Sequence, residues 1–272
     1  MSGNNQPGLP STSLNYLLED AIRLQNNRHY RNDKQLFFIE GVKNFNEAID
    51  NKFTIERILY SEKLLTSVIA RKHVRQLRRR GITTVKLSPE QFRRISNAKK
   101  VSGVAAVCKQ RWSKLETSSP NLGLCWNVLG SVNSPGNFGT LIRSSESIGC
   151  AGFILLDRDV DPYMPSTVRS TMGAVFRQSF IRTNLAKLRK WIQKNQCEII
   201  GASPDGIKEL HHFNFRNTRL LMLGEERKGL TEAERNMCNH LVRIPMVGHS
   251  DSLNLAVAGS LFMYEVFRNK KY

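Results

Sequence analysis

Between Leu241 and Arg268 the chain reads LVRIPMVGHSDSLNLAVAGSLFMYEVFR, and few architectures can accommodate such a stretch. Four residues of strand character, Leu241 to Ile244, stop at Pro245; a polar loop containing Gly248 follows, and an apolar run opens at Leu253. Ser252 stands immediately before that run, where a hydroxyl can accept a bond from a first-turn amide, so it is the expected N-cap. Leu253, Leu255, Ala256, Val257, Ala258, Leu261, Phe262, Tyr264, Val266 and Phe267 leave the predicted helix apolar on nearly every face, which calls for burial on several sides. A polar loop between a strand end and a buried helix start is where α/β sheets place ligands, because free amides point outward there.

The rest of the chain alternates β and α patterns around that segment. Residues 1–35 form a Gly/Pro/Ser/Asn-rich tail and a helix over Ser13–Asn26, with Leu14, Leu17, Leu18 and Ile22 on one side. Residues 36–108 read as a small α/β domain: strand LFFIEG, helix VKNFNEAIDN, strand IERILYS, a helix from Leu64 to Arg80, strand ITTVKL, helix SPEQFRRIS and strand SGVAAVCK. Residues 109–121 lose the apolar periodicity and gather Ser, Thr and Pro, which marks a linker. From 122 to 272 the alternation resumes, and AVFRQSF, CEIIGAS and RLLMLG read as further strands. The fold class is therefore α/β, with a mostly parallel C-terminal sheet covered by helices on both faces and ligands expected beyond the strand C-termini.

Charge narrows the class of partner. The 272 residues carry 41 Lys and Arg against 23 Asp and Glu. Residues 1–115 hold 22 of the basic and 9 of the acidic ones. An excess concentrated in the front half suits a polyanion, since each phosphate contact releases condensed counterions. RKHVRQLRRRG, Arg71 to Gly81, is too polar for an amphipathic membrane helix; RNA contact and a plain solvated face both fit it. No apolar run approaches the ~20 residues of a membrane span, and no secretory leader is evident. Cys108, Cys125, Cys150, Cys197 and Cys238 are scattered without a C-x-x-C pair, as expected of reduced thiols in a cytoplasmic protein.

Several familiar chemistries are excluded by spacing. No G-x-G-x-x-G follows the first strand and no G-x-x-x-x-G-K-S/T occurs, against dinucleotide binding and P-loop hydrolysis. His249, Ser250 and Asp251 are adjacent and so cannot form a nucleophile, base and orienter chain. Asp157, Asp159 and Asp161 mimic a calcium loop but lack its Gly and terminal acid, and His211 and His212 have no ligand partner at useful spacing, so no metal is expected.

Three loops at predicted strand ends remain. NSPGNFGTLIR, Asn133 to Arg143, has Gly136 and Gly139 for tight turning, Asn137 at the loop-to-helix boundary and Arg143 two turns into a helix. LMLGEERKGL, Leu221 to Leu230, sets Glu226 between glycines. The third is the C-terminal segment from Leu241 to Arg268. PGN-x-G-T-x-x-R, L-G-x-E-x-x-G-L and IPM-x-G-x-x-x-SLN-x-AVA followed by YE resemble the three motifs of the SpoU/TrmH family within the SPOUT class of RNA methyltransferases. Ser134 stands where that family usually has Asp. The F-I-E-G-V-K start and the later V-S-G-V-A-A-V resemble, in pattern, the N-terminal substrate-binding domain of many SpoU-type enzymes.

The resemblance implies an S-adenosyl-L-methionine-dependent methyltransferase acting on a ribose 2′-hydroxyl of structured RNA, with ribosomal RNA favoured over transfer RNA. It also implies a C-terminal trefoil knot and a homodimer formed through it. Arg143 would be the catalytic cation, with Asn137, Glu226, Ser252 and Asn254 orienting the reacting groups. Gly224, Ile244 and Leu253 would hold the adenosyl part through their main chain, joined by Leu223 and Met246. Arg169 and Ser170, in DPYMPSTVRSTMGAVF, are candidates for RNA phosphate contact. Two alternatives stay open: a catalytically silent RNA-binding or ribosome-assembly factor of the same fold, and an RNA base methyltransferase.

Overall fold

A computed structural model describes residues 11–156, 160–249 and 252–271. Asp157 and Asp159 of the alternating acids, Ser250 and Asp251 of the polar triplet, and the first ten residues of the tail lie outside the described residues. Contacts divide the chain into two compact units, Met1–Gln110 and Arg111–Tyr272.

In the first unit the order is α1 (Ser11–Asn26), α2 (Arg28–Lys34), β1 (Leu36–Glu40), α3 (Val42–Asp50), β2 (Ile55–Tyr60), α4 (Val68–Arg79), β3 (Thr83–Lys86), α5 (Pro89–Ile95) and β4 (Val104–Lys109). The strands form one sheet in the order β1-β4-β2-β3, with only β2 and β3 parallel. The apolar stripe of α1 is spent inside this unit: Leu18, Ala21 and Leu24 are buried with Phe38, Leu59, Phe92 and Val107. Each such fully buried Leu or Phe is worth ~1.5–3 kcal/mol over an exposed one, so the helix over 11–26 is part of the domain and not an appendage to it. The helix expected from Leu64 starts later. Ser67 caps it by accepting from the Ala70 amide (3.3 Å), while Leu64 and Leu65 donate their amides back to the Ser61 carbonyl in a turn.

The second unit runs β5 (Trp126–Leu129), α6 (Pro135–Ser147), β6 (Gly152–Leu155), α7 (Pro165–Ser170), β7 (Ser179–Arg182), α8 (Leu185–Asn195), β8 (Glu198–Ala202), β9 (Lys208–Glu209), β10 (Thr218–Leu223), α9 (Glu232–Arg235), β11 (His240–Arg243) and α10 (Leu255–Lys271). Its sheet has the order β7-β6-β5-β10-β8-β11-β9. Every pairing in it is parallel. The winding reverses between β5 and β10, and at such a switch point the loops leaving neighbouring strands diverge and open a crevice at the carboxyl ends. Trp126, Val128, Ile154, Ile199, Leu220 and Met222 fill one face of the sheet.

Three local readings change. The stretch expected as a linker is divided: Lys109 ends β4, whereas Ser113 bridges Ile181 and Leu115 is buried beside Trp126 in the second unit. AVFRQSF is not one strand, because Ala174–Phe176 form a 3-10 turn after Gly173 (φ +98°), and all three side chains of that turn are buried. The two-residue strand β9 carries too little pattern to be read from sequence. Among the described residues no helix is long and apolar enough to cross a membrane.

Candidate active site

The loop after β5 is shorter than its sequence suggests. Ser134 accepts from the Asn137 amide at 3.3 Å and Pro135 takes the first helical position, so P-G-N forms the first turn of α6 and not a loop ahead of it. Gly136 and Gly139 are consequently helical, and neither has positive φ. A Cβ on Gly139 would overlap the Ser170 side chain and sit 3.1 Å from the Thr167 carbonyl oxygen, so its smallness serves the close approach of α6 to α7. At Gly136 the nearest atom, Ser134 Oγ, would be 3.7 Å away, and space makes no demand for glycine there.

After β10 the chain closes a tight turn. Glu225 and Gly229 exchange amide-to-carbonyl bonds of 3.1 and 3.0 Å, the Glu225 carboxylate accepts the Lys228 amide at 2.8 Å, and Gly229 adopts φ +66°. A Cβ on Gly224 would sit 2.5 Å from the Leu230 nitrogen and 2.7 Å from the Gly229 oxygen. The glycine expected to admit a cofactor is thus required by the turn itself.

Glu226 ties this turn to the first loop. Its carboxylate accepts the amides of Asn133 (3.1 Å) and Ser134 (3.1 Å) and the side-chain amide of Asn137 (3.3 Å). Asn254 then donates through Nδ2 to Asn137 Oδ1 at 3.0 Å. A continuous chain of bonds therefore runs from the turn after β10, through the first turn of α6, to the start of α10. Asn254, not Ser252, caps that last helix: its Oδ1 accepts the amides of Ala256 (2.9 Å) and Val257 (3.4 Å), and its carbonyl accepts the Ala258 amide (2.9 Å). The helix accordingly begins at Leu255, two residues beyond the expected start.

Burial pushes the Glu226 carboxyl upward, but the bonds it accepts from the Asn133 amide, its own amide, the Ser134 amide and the Asn137 side chain outweigh this and hold it below its ordinary 4.5. A carboxyl depressed in the fold contributes stability above its unfolded value, and that contribution fades as pH falls through the folded one. Glu226→Gln turns an NH2 toward amides that need an acceptor. Its deficit in thermal midpoint relative to the wild type should be largest near neutrality and should shrink on titration from about pH 6 to about pH 3. A deficit independent of pH would show that the carboxylate charge is not what joins the loops.

Leu223, Gly224, Glu226, Ile244, Met246, Ser252 and Leu253 line one cavity of about 210 Å³. Leu255 and Phe262 of α10 add apolar wall. All five residues expected to hold the cofactor are in this set. Asn137 and Asn254 join it through the bonds just described. Arg143 does not line it: its side chain is exposed on α6. Arg169 is exposed on α7, and the Ser170 hydroxyl donates to the Ser166 carbonyl at 2.8 Å, inside its own helix. The sequence reading missed Ala202, Ser203 and Pro204, which line the cavity from the end of β8. The S-P-D-G turn closing that strand was the available signal, since ligands gather at strand C-termini. Across the Glu225–Gly229 turn lies a wider cleft of about 1080 Å³, lined by Gly130, Ser131, Asn133, Glu226 and Glu234 among others.

His211 and His212, expected to lack a ligand partner at useful spacing, face Glu209: His211 Nε2 and His212 Nδ1 lie 3.7 and 3.8 Å from Glu209 Oε2. The Arg243 guanidinium is bonded to the other carboxylate oxygen at 2.9 Å. Glu209, His211 and His212 thus bring ligand atoms within 4.8 Å of one another, a grouping that sequence spacing did not reveal.

Residues 127–264 match the SpoU rRNA Methylase family. The chain belongs to that family. Residues 20–106 match the MRM3-like substrate binding domain, so both units of this SpoU-family chain have a recognised counterpart. Over 266 residues it is 27% identical to the 23S rRNA (uridine(2479)-2'-O)-methyltransferase of Streptomyces viridochromogenes, which spans 95% of this chain and 92% of that protein. The crystal structure of an AdoMet-bound rRNA methyltransferase from Sinorhizobium meliloti matches with a TM-score of 0.85 at 27% identity, over 93% of this chain and 95% of the other. The SpoU methyltransferase AviRb from Streptomyces viridochromogenes, in complex with AdoMet, matches with a TM-score of 0.84 at 26% identity, over 93% and 97%. The resemblance carried by the three motifs therefore holds, and with it the parallel-sheet catalytic fold and its N-terminal substrate-binding domain.

Proposed function

We propose that this SpoU-family chain transfers a methyl group from S-adenosylmethionine to a ribose 2′-hydroxyl of ribosomal RNA. The observation that carries the reading is the convergence of the three motif loops, bonded through Asn254, Asn137 and Glu226, on the cavity lined by Leu223, Gly224, Ile244, Met246 and Leu253. Apolar walls at strand ends suit a flat adenosyl group. At about 210 Å³ the cavity is smaller than the ~300–1,000 Å³ of pockets that enclose a whole ligand. The relatives that bind AdoMet and act on 23S rRNA support the same choice.

S-adenosylmethionine would supply a methyl already made electrophilic by its sulfonium: the ribose oxygen would take it as the C–S bond breaks, S-adenosylhomocysteine would leave and the hydroxyl proton would pass to water, so the protein's task is alignment. Both oxygens of Glu226 are engaged as acceptors, which makes it a positioning group and not the base. Asn254 keeps the third loop against the first through its bond to Asn137, and Ser252 lines the cavity beside it. Arg143, with its planar guanidinium fork, holds the phosphate beside the target and stabilises the developing alkoxide.

Two further features go with this reading. Val257, Leu261 and Tyr264, exposed by 49, 41 and 54%, form a stripe along one side of α10. An apolar stripe of this kind supports pairing with a second copy through this helix. A cytoplasmic location accords with an RNA substrate.

Calorimetry with S-adenosylmethionine, followed by transfer of a labelled methyl to 23S rRNA, tests the proposal. Cofactor binding is expected, and nuclease digestion with mass spectrometry should find the methyl on the sugar. Absence of binding would favour a silent assembly factor, and a methyl on the base would favour the other alternative.

A further inference from the structure

Helix α4 presents two chemically different sides. Ala70 and Val74 are buried and Leu77 is half-buried. Diametrically opposite, at spacings of four, three and four residues, stand Val68, Lys72, Arg75 and Arg79, all exposed. From Lys63 through Pro89 there are eight Lys and Arg and no Asp or Glu. The neighbouring cations serve the fold: Arg71 donates to the carbonyls of Leu65 (2.6 Å) and Glu62 (3.3 Å), and Lys86 pairs with Glu62. Among the described residues Lys72, Arg75 and Arg79 have no acidic partner. Three like charges within two turns repel one another and cost helix stability, so an evolved helix that keeps them without counter-charges is best explained by an anion that arrives from outside.

We propose that this outward stripe of α4 is an RNA-docking surface, with Lys72, Arg75 and Arg79 contacting successive phosphates and Val68 and Ile69 packing on sugar or base. The cations follow one another at ~5 Å along the helix axis, given 1.5 Å of rise per residue, which suits a backbone running along the helix. Val68 and Ile69, exposed by 76 and 60%, stand at the same end of the helix and have no apolar cover. Two aliphatic side chains are too few for a membrane-seeking face, which needs a continuous apolar side. The inference rests on the proposed RNA substrate and adds to it which surface of the substrate-binding unit holds the polymer and by what contacts.

The test is binding of the full chain to deproteinised 23S ribosomal RNA at several salt concentrations. The Lys72→Ala/Arg75→Ala/Arg79→Ala variant keeps a strong helix former at every position, so its thermal midpoint and its S-adenosylmethionine affinity should match the wild type. Its RNA affinity should fall by roughly 10–10²-fold, and the slope of log affinity against log salt should become shallower by about 2–3, at ~0.7–0.9 per phosphate contact. A matched control removes the same charge from the exposed side of α8, as Lys187→Ala/Lys190→Ala/Lys194→Ala, and should lose less on both readouts. Wild-type affinity and slope in the α4 variant, or equal losses in the two variants, overturn the docking surface. Binding of the wild type to phosphatidylserine vesicles but not to RNA also overturns it. A wild type that binds the RNA through α4 but transfers no methyl leaves the surface standing and removes the catalytic reading.

Discussion

Arg143→Ala should slow methyl transfer by about 10²–10³-fold, the usual consequence of deleting one group that stabilises developing charge, while S-adenosylmethionine affinity stays nearly unchanged. The asymmetry follows from where the arginine stands. Its helix neighbours Leu141, Ile142 and Ser145 are buried, so α6 stays anchored without it. The first turn of the same helix holds Asn137 against Glu226 and Asn254, whereas the Arg143 side chain is exposed and outside the cavity wall. On the role proposed for it, Arg143 would meet the acceptor and not the cofactor, so its loss should act on transfer and spare cofactor affinity. Arg143→Lys retains the charge but not the planar fork and should recover only part of the rate. Single-turnover transfer at saturating cofactor and RNA, set beside calorimetry, gives both quantities. Wild-type turnover in the alanine variant would remove Arg143 from the mechanism, and a loss confined to cofactor affinity would show that it supports the cavity instead.

The catalytic unit was legible in the sequence to the extent that its motifs fix spacing. Asn137, Glu226 and Asn254 lie far apart in the chain, and only the family resemblance placed them together; no periodicity relates residues 137, 226 and 254. Local reasoning failed where two residues competed for one role. Ser252 and Asn254 are both good caps, and Leu253 between them extends the apolar run, so the pattern started the helix too early. The structure decides for Asn254 because its Oδ1 reaches the Ala256 and Val257 amides while its Nδ2 reaches Asn137. The near-continuous apolarity of the last helix concealed a side that the single chain leaves exposed at Val257, Leu261 and Tyr264. Its Gly259 has a different explanation: a Cβ there would lie 2.5 Å from Leu141 Cδ2 and 2.9 Å from Leu223 Cδ1, so it is the closeness of α10 to α6 and β10 that selects glycine. Glycine roles could not be read because sequence does not say whether a glycine is needed for its torsion angle or for its lack of bulk.

Gly224 and Gly229 separate those two needs within one turn, and replacing each with alanine should give very different results. Gly224 has no positive φ, so alanine suits its backbone; the obstacle is the Leu230 nitrogen at 2.5 Å from the new Cβ. Gly229 has φ +66° and nothing within 4 Å of a Cβ, so alanine there meets only torsional strain, about 1–2 kcal/mol. Backbone cannot rotate aside as a side chain can, and forced overpacking costs ~1–3 kcal/mol or more. Gly224→Ala should therefore lower the thermal midpoint of the cofactor-free chain by about 5–10 °C, taking ~2–3 kcal/mol at ~2–4 °C per kcal/mol for a unit of this size. Because the displaced turn is also cavity wall, S-adenosylmethionine affinity should fall by roughly 10²-fold, the equivalent of that energy. Gly229→Ala should lose less on both readouts. If Gly224→Ala kept full thermal stability and lost only affinity, the glycine would be serving a ligand that approaches its main chain, as the sequence alone suggested, and the internal collision would not be its reason.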